Sequence, residues 1–182
     1  MGAYVVLLRA IGPMTHKVMS MADWRAACEA EGFGAPETYV ATGNMIVESG
    51  KTLAEMTKAM NRIVRQLGLG ENNNAIVRKP GTLKDILRSD PFPDAAAQRP
   101  ERVGVYFFFG ARPDFGWIGD HEGPERIHVQ GMHLIVDYGE DHTQSLRLPR
   151  IIEKRSGVVT ARNWNTVRGL AERCAARGGA GR

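Results

Sequence analysis

The feature that most constrains this chain is a pattern that occurs twice. Residues 4–11 form a nearly unbroken apolar run, and residues 38–48, "TYVATGNMIVE", read as strands 38–41 and 45–48 around a Gly43-Asn44 turn. Residues 102–109 form a second such run, and residues 126–137, "RIHVQGMHLIVD", a second hairpin with strands 126–129 and 132–137. A short apolar run bounded by turn residues is the pattern of a strand buried on both faces. In the first half, Ser20 to Asp23 resembles a capping box ahead of a helix with Trp24, Ala27 and Cys28 on its apolar stripe. Thr52 to Glu55 is a stronger box, since Thr52 can accept from the Glu55 N–H while the Glu55 side chain reaches back. Met56, Met60, Ile63 and Val64 then follow at helical spacing until Gly68 stops the run. Residues 75–79 are a strand, and Thr82 opens a short helix that Pro91 and Pro93 close.

The second half repeats this order in a weaker form. Residues 111–119 are a Gly- and Pro-broken stand-in for the first helix, 148–155 a helix with Pro149 near its start, 158–159 a strand stub, and 163–177 the closing helix. The reading is an α/β (α+β) protein made of a duplicated ferredoxin-like βαββαβ unit, with antiparallel sheets and helices on one face of each. Its parts are a first subdomain over 1–89, a Pro-rich linker over 90–101, a second subdomain over 102–177 and a flexible tail over 178–182.

At 182 residues, 43% hydrophobic and 24% charged, the chain suits a soluble globular protein with its own core. Its apolar runs fall far short of the ~20 residues that span a bilayer, and neither a signal peptide nor a myristoylation pattern is present. A cytoplasmic location without membrane association is the expectation. Cys28 and Cys174 are too far apart in sequence for a metal knuckle or a redox pair, and each falls on an apolar helix stripe, which points to inert core thiols. The net charge of +4 is unevenly spread: residues 147–182 carry nine Lys/Arg against two acids, leaving fifteen against eighteen in 1–146. A basic C-terminus of this kind fits nucleic acid, an acidic ligand or an acidic surface of the same protein.

Four segments in order along the chain carry a family resemblance. They are "YVVLLRAI" with "HKVMSMADW", the hairpin "TYVATGN", "DPFPD" at 90–94 and "TARNWNTV" at 160–167. Together they resemble the DUF1697 family, which implies a bacterial protein, a compact α/β fold built from such a repeat, and no assigned activity. The usual first segment of that family resembles L-R-G-I-N-V-G-G, where this chain has Leu8-Arg9-Ala10-Ile11-Gly12-Pro13-Met14-Thr15. The departures remove glycines from the loop after the first strand, and with them the basis for a backbone phosphate cradle.

Trp164, Val167, Leu170, Ala171 and Cys174 share one face of the closing helix, so Trp164 is a core anchor and Thr160 or Asn163 its N-cap. Helix initiation is the simpler account of the polar cluster around it. The functional account is an anion site, because exposed N–H groups beside Arg162 and Asn165 suit a phosphate or carboxylate. Arg9, at the end of an apolar strand, needs a partner, and Asp23 or Glu48 is expected to supply it. Thr42 and Asn44 read first as chemistry of a type II′ turn and second as a binding edge. With a Gln130-Gly131 turn, His128 would face His133 on a half-solvated sheet face, where a metal would need Asp137 or His142 as a further ligand. No metal and no cofactor is called for, since nucleotide, zinc-hydrolase and serine-hydrolase signatures are all missing.

The functional reading is therefore a binding protein for a small anionic ligand, with Arg9, Arg162 and Asn165 as contacts and Asn163, Thr42 and Asn44 beside them. An enzyme of unrecognised class using the same cleft is the alternative. A nucleic-acid module using the basic face of Arg147, Arg150 and Lys154 is the less favoured one, because the third-strand slots lack the aromatic RNA-binding signature. Oligomeric state is not encoded in any pattern found.

Overall fold

The computed structural model describes residues 1–140 and 147–179. The chain divides into two compact units, one of residues 1–83 with 170–182 and one of residues 84–169.

In the first unit, β1 (Gly2–Leu8) pairs with β3 (Asn44–Ser49) on one side and β4 (Ala75–Arg78) on the other, while β2 (Gly34–Thr38) extends the sheet beyond β3. All pairs are antiparallel and the order is β2-β3-β1-β4, the order of a split βαβ sheet. Tyr4, Val6 and Leu8 face a core with Met45 and Val47, onto which α2 (Met21–Ala30) and α3 (Leu53–Gln66) lay Trp24, Cys28, Met56, Met60 and Ile63. Val5, Leu7, Ile46 and Ile76, on the other face, are buried as completely. Both capping boxes form: Asp23 N–H donates to Ser20 Oγ and Ser20 N–H to Asp23 Oδ2, each at 3.0 Å. At the second box, Thr52 N–H donates to Glu55 Oε2 at 2.7 Å and Glu55 N–H to Thr52 Oγ1 at 3.3 Å.

The unit departs from expectation in two loops. A short helix, α1 (Pro13–Val18), follows β1, with Pro13 in its first turn. The strand expected at 38–41 lies earlier, at Gly34–Thr38, because a register shift between Gly34 and Glu37 uses up residues and Val40 turns to a φ of 48°. The connection is thus a longer loop rather than a two-residue II′ turn.

The last turns of the closing helix α7 (Trp164–Gly179) belong to this unit from Leu170 onward. Arg173 binds Glu37 and stacks 4.5 Å from the Tyr39 ring centre. Arg177 binds Glu37 at 3.3 Å, Glu48 at 3.4 Å and the Ala35 carbonyl at 2.7 Å. Of the three fates open to the basic C-terminus, these two arginines take the acidic surface of the same protein. Gly178 and Gly179 end α7, and the rest of the expected tail lies outside the described residues.

In the second unit, β5 (Val103–Phe108) lies between β7 (His133–Asp137) and β8 (Val159–Asn163), and β6 (Arg126–Gln130) extends the sheet beyond β7. The order β6-β7-β5-β8 repeats that of the first sheet. The stub expected at 158–159 is a full strand. Where the first unit has α2, residues 109–125 form an irregular segment with only a 3₁₀ turn at Ile118–Asp120, which sends Phe115, Trp117 and Ile118 onto the sheet. Pro113, Gly116 and Gly119 explain the lack of a helix. α6 (Leu148–Ser156) completes this core with Leu148 and Ile152.

The segment 90–101, expected as a linker, is ordered. α4 (Pro80–Ser89) ends before it, α5 (Pro93–Gln98) lies inside it and a 3₁₀ turn follows at Pro100–Arg102. The tie is Asp137, 3% exposed, whose carboxylate accepts from Arg99 at 2.8 and 3.2 Å, from Arg126 at 2.7 and 2.9 Å and from the Gly139 N–H at 2.9 Å. Arg126 also holds Asp94 at 2.9 Å and lies over the Phe92 ring. A pattern of apolar spacing could not announce this segment, because charge fixes it.

Burial pushes the Asp137 carboxyl upward, but the Arg99, Gly139 and Arg126 donors outweigh it and hold the pKa at about 2. The folded value lies below the unfolded one, so the stabilisation is complete above the ordinary carboxylate range and is lost as pH falls through about 2. Asp137→Asn should therefore cost about 2 kcal/mol at neutral pH, with a shallower acid limb in urea unfolding curves. Equal stability of the two proteins at pH 7 would show the cluster to be idle.

Ala10 has a φ of 60°, a left-handed conformation unfavourable for a residue with a Cβ. It occupies the place where the L-R-G-I-N-V-G-G segment has glycine. Ala10→Gly should raise stability by about 0.5 kcal/mol, the relief of strain exceeding the added freedom of the unfolded chain. Chemical denaturation measures this, and a loss of stability would contradict it.

Candidate functional site

Three of the expected residues gather at one end of the first sheet. Arg9, half-buried, donates from Nη1 to the Asn72 carbonyl at 3.0 Å, and its backbone N–H donates to the Asn74 carbonyl at 2.9 Å. The carboxylate partners expected for it are engaged elsewhere: Asp23 serves the cap of α2 and Glu48 holds Arg177. The loop before β3 packs against the end of β1 through the Leu8 N–H, which donates to the Gly43 carbonyl at 2.8 Å. Gly43, at a φ of 84°, is required there, since a Cβ would lie 2.8 Å from Ile11 and 2.9 Å from Leu8. Asn44 is fully buried and closes the loop, its Nδ2 donating to the Tyr39 carbonyl and to Thr42 Oγ1, both at 2.9 Å. His16 Nε2 contacts the Ala41 carbonyl at 2.7 Å. Thr42 itself is exposed.

The other three residues mark the junction of β8 and α7. Arg162 belongs to the strand and not to the helix, faces Val105 across the sheet and is 7% exposed. Its Nη1 donates to Thr160 Oγ1 at 2.7 Å and to the Ala161 carbonyl at 2.9 Å, and burial draws its pKa down to about 10. Asn163 is the helix cap, its Oδ1 accepting from the Thr166 N–H at 2.9 Å. Trp164 is a buried anchor, and Val167, Leu170, Ala171 and Cys174 share its burial.

Asn165 is exposed, and its Oδ1 accepts from Arg168 Nη2 at 2.7 Å. That bond leads to a residue the sequence reading missed. Arg168 lines a groove of about 330 Å³ with Trp164 of α7, Leu87 of α4, Asp90 just after α4, and Pro93, Ala96 and Ala97 of α5. The groove unites two of the segments that carry the family resemblance, "DPFPD" and "RNWN". The i, i+3 spacing of Asn165 and Arg168 on one helix face was the signal that could have found it. No ion pair joins Asp90 to Arg168 among the described residues. The groove thus offers a cation steadied by an amide, a carboxylate, an indole and a short apolar wall.

The histidine pair takes a different form from the one expected. The turn is Gly131-Met132, so Gln130 faces His133 and His128 faces Ile135. Both imidazoles stay on one face, but His133, Ile135 and Asp137 are buried there, so this face is not half-solvated. His133 meets the Phe107 ring edge-on at 5.4 Å, and Asp137 is committed to its arginines. His142 lies outside the described residues. Among the described residues, no three His, Cys, Asp or Glu side chains gather in a way that could hold a metal. Both cysteines are buried, and burial raises the Cys28 pKa to about 12, which suits an unreactive thiol. Among the described residues, no helix is long and apolar enough to cross a membrane.

The fold has a counterpart among solved structures. A conserved bacterial protein, SP0830 from Streptococcus pneumoniae, superposes with a TM-score of 0.74 over 96% of this chain and 99% of its own, at 15% identity. At that identity the likeness speaks for the fold alone. No curated protein matches the sequence. The model of the family described as "Protein of unknown function (DUF1697)" matches residues 1–134, well over half of the chain. With the mixed α/β fold and its two four-stranded sheets already in place, that match settles the classification: the chain belongs to the DUF1697 family.

Proposed function

We propose that this protein binds a small anionic ligand, and that the groove beside the start of α7 receives it. The observation that carries the reading is Arg168, a cation in a groove built from two otherwise unexplained sequence segments and held in place by Asn165. A guanidinium fixed by a neighbouring amide loses less freedom on binding a carboxylate or phosphate than a solvated one does. Trp164, Pro93 and Ala96 supply apolar contact for the body of the ligand, and Asp90 receives a hydrogen-bond donor from it. Asn163 and Arg162 stand behind this groove as the cap and the strand that fix where α7 begins. The volume suits a metabolite and not a polymer.

The nucleic-acid alternative has less support, because Arg173 and Arg177 are engaged with Glu37 and Glu48. Arg147, at the cap of α6, and Arg150 and Lys154 on it remain exposed, which is the ordinary state of a solvated helix face.

The chain has three tryptophans, and their indole N–H signals serve as separate reporters: Trp164 for this groove, and fully buried Trp24 as an internal control. Titration with inorganic phosphate and with glutarate should move the Trp164 signal saturably. Arg168→Ala should weaken that binding about tenfold, and Asn165→Ala less, since it only steadies the cation. Both positions are exposed, so stability should change by less than about 0.5 kcal/mol. A Trp164 signal unmoved by either anion would remove the reading.

A further inference from the structure

A second groove, of about 290 Å³, lies where the second unit replaces a helix by the irregular segment 109–125. Trp117, Asp120, His121 and Glu122 line it from that segment, and Ile151, Lys154 and Arg155 from α6. Its walls are fixed before any ligand arrives. The Trp117 indole N–H donates to Ser156 Oγ at 2.8 Å and to the Asp114 carbonyl at 3.1 Å, and Ser156 Oγ donates to that same carbonyl at 2.6 Å. This triangle locks the end of α6 against the loop. His121 is held edge-on to Trp117, ring centres 6.0 Å apart, and its Nε2 lies 3.2 Å from Glu125 Oε2. Those two side chains are 12% and 5% exposed, and they pack closely over Gly123, where a Cβ would lie 2.4 Å from Glu125 Oε2 and 2.9 Å from His121 Nε2.

The remaining charges on this groove are Asp120 and Glu122 of one sign and Lys154 and Arg155 of the other, all exposed. None of the four forms an ion pair among the described residues. Lys154 and Arg155 complement the dipole at the C-terminal end of α6, which accounts for their presence in the last turn but not for their sharing a groove with a fixed indole and opposed carboxylates. Opposite charges kept apart across a preorganised apolar floor match a ligand that carries both signs at once.

We propose that this groove is a second binding site, distinct from that beside α7, for a small zwitterion of the amino-acid type. Its carboxylate meets Lys154 and Arg155. Its ammonium group meets Asp120, Glu122 and the Trp117 ring, whose face attracts cations, and its side chain rests on Ile151.

The test uses the whole chain and free L-leucine, leucinamide, which lacks the carboxylate, and 4-methylpentanoate, which lacks the ammonium group. Leucine should move the Trp117 indole and His121 ring signals saturably, with affinity in about the millimolar range, and each single-charge analogue should bind about tenfold more weakly. Lys154→Ala with Arg155→Ala should remove the advantage of leucine over leucinamide, and Asp120→Asn with Glu122→Gln its advantage over 4-methylpentanoate. Equal binding of leucine and either analogue to the unaltered chain overturns the proposal, as does leucine that shifts Trp164 alone or no indole at all. Phosphate or glutarate shifting Trp164 reports on the other groove, so the two readings stand or fall separately.

Discussion

The constraint on which the rest depends is the burial of both faces of the two central strands. Val5 and Leu7 are as dry as Val6 and Leu8, and in the second unit Val105 and Phe107 are as dry as Tyr106 and Phe108. A strand buried on both faces cannot stand at an edge, since its N–H and C=O groups would meet no water and need a partner on each side. β1 and β5 are accordingly interior strands in sheets of the same order. Once each central strand is fixed, its hairpin and its final strand have only the two flanks to occupy. What varies is the loops, and both candidate grooves of the second unit are built with residues from outside its strands.

How much of this was legible in the sequence differs by type of interaction. Apolar runs, capping boxes and the stripe of α7 are periodic or local, so residues such as Val6, Ser20, Thr52 and Trp164 declare their roles by spacing alone. Segment 90–101 is held by Arg99 and Arg126 converging on Asp137, a contact between residues far apart in sequence that leaves no period. Its prolines and alanines therefore read as a linker. The hairpin registers were missed for a related reason. A glycine marks where a turn can be made, but not how many residues the turn takes: Thr38 pairs with Met45 across a longer loop, and Gln130 pairs with His133 across Gly131-Met132.

The candidate site was legible to a similar degree. The start of α7 reads from the sequence as polar and basic, and Asn165 is exposed there. A guanidinium next to a helix start reads as exposed, whereas Arg162 belongs to the preceding strand and is buried in it. Its neighbours Thr160 and Ala161 are among the partners that make burial tolerable, and they adjoin it in sequence without any pattern that separates them from a loop. Apart from its i, i+3 relation to Asn165, nothing near Arg168 in sequence distinguishes it from a solvated helix residue. Only the packing of "DPFPD" beside Trp164 turns it into part of a cavity.

The departure of the second unit from the first carries a structural consequence. In the first unit α2 covers the sheet and buries Trp24 fully, and the Trp24 indole N–H has no hydrogen-bond partner among the described residues. In the second unit the same face is covered by an irregular segment, and Trp117 comes to lie half-buried, its N–H satisfied by Ser156 and Asp114. A helix in that place would bury its apolar stripe and turn its charges to solvent. A loop anchored by one indole instead leaves a hollow beside it and supplies His121, Glu122 and Asp120 to the rim. In this unit a fixed aromatic ring thus takes the place of a helix as the packing element, and the hollow beside Trp117 lies where that replacement occurs.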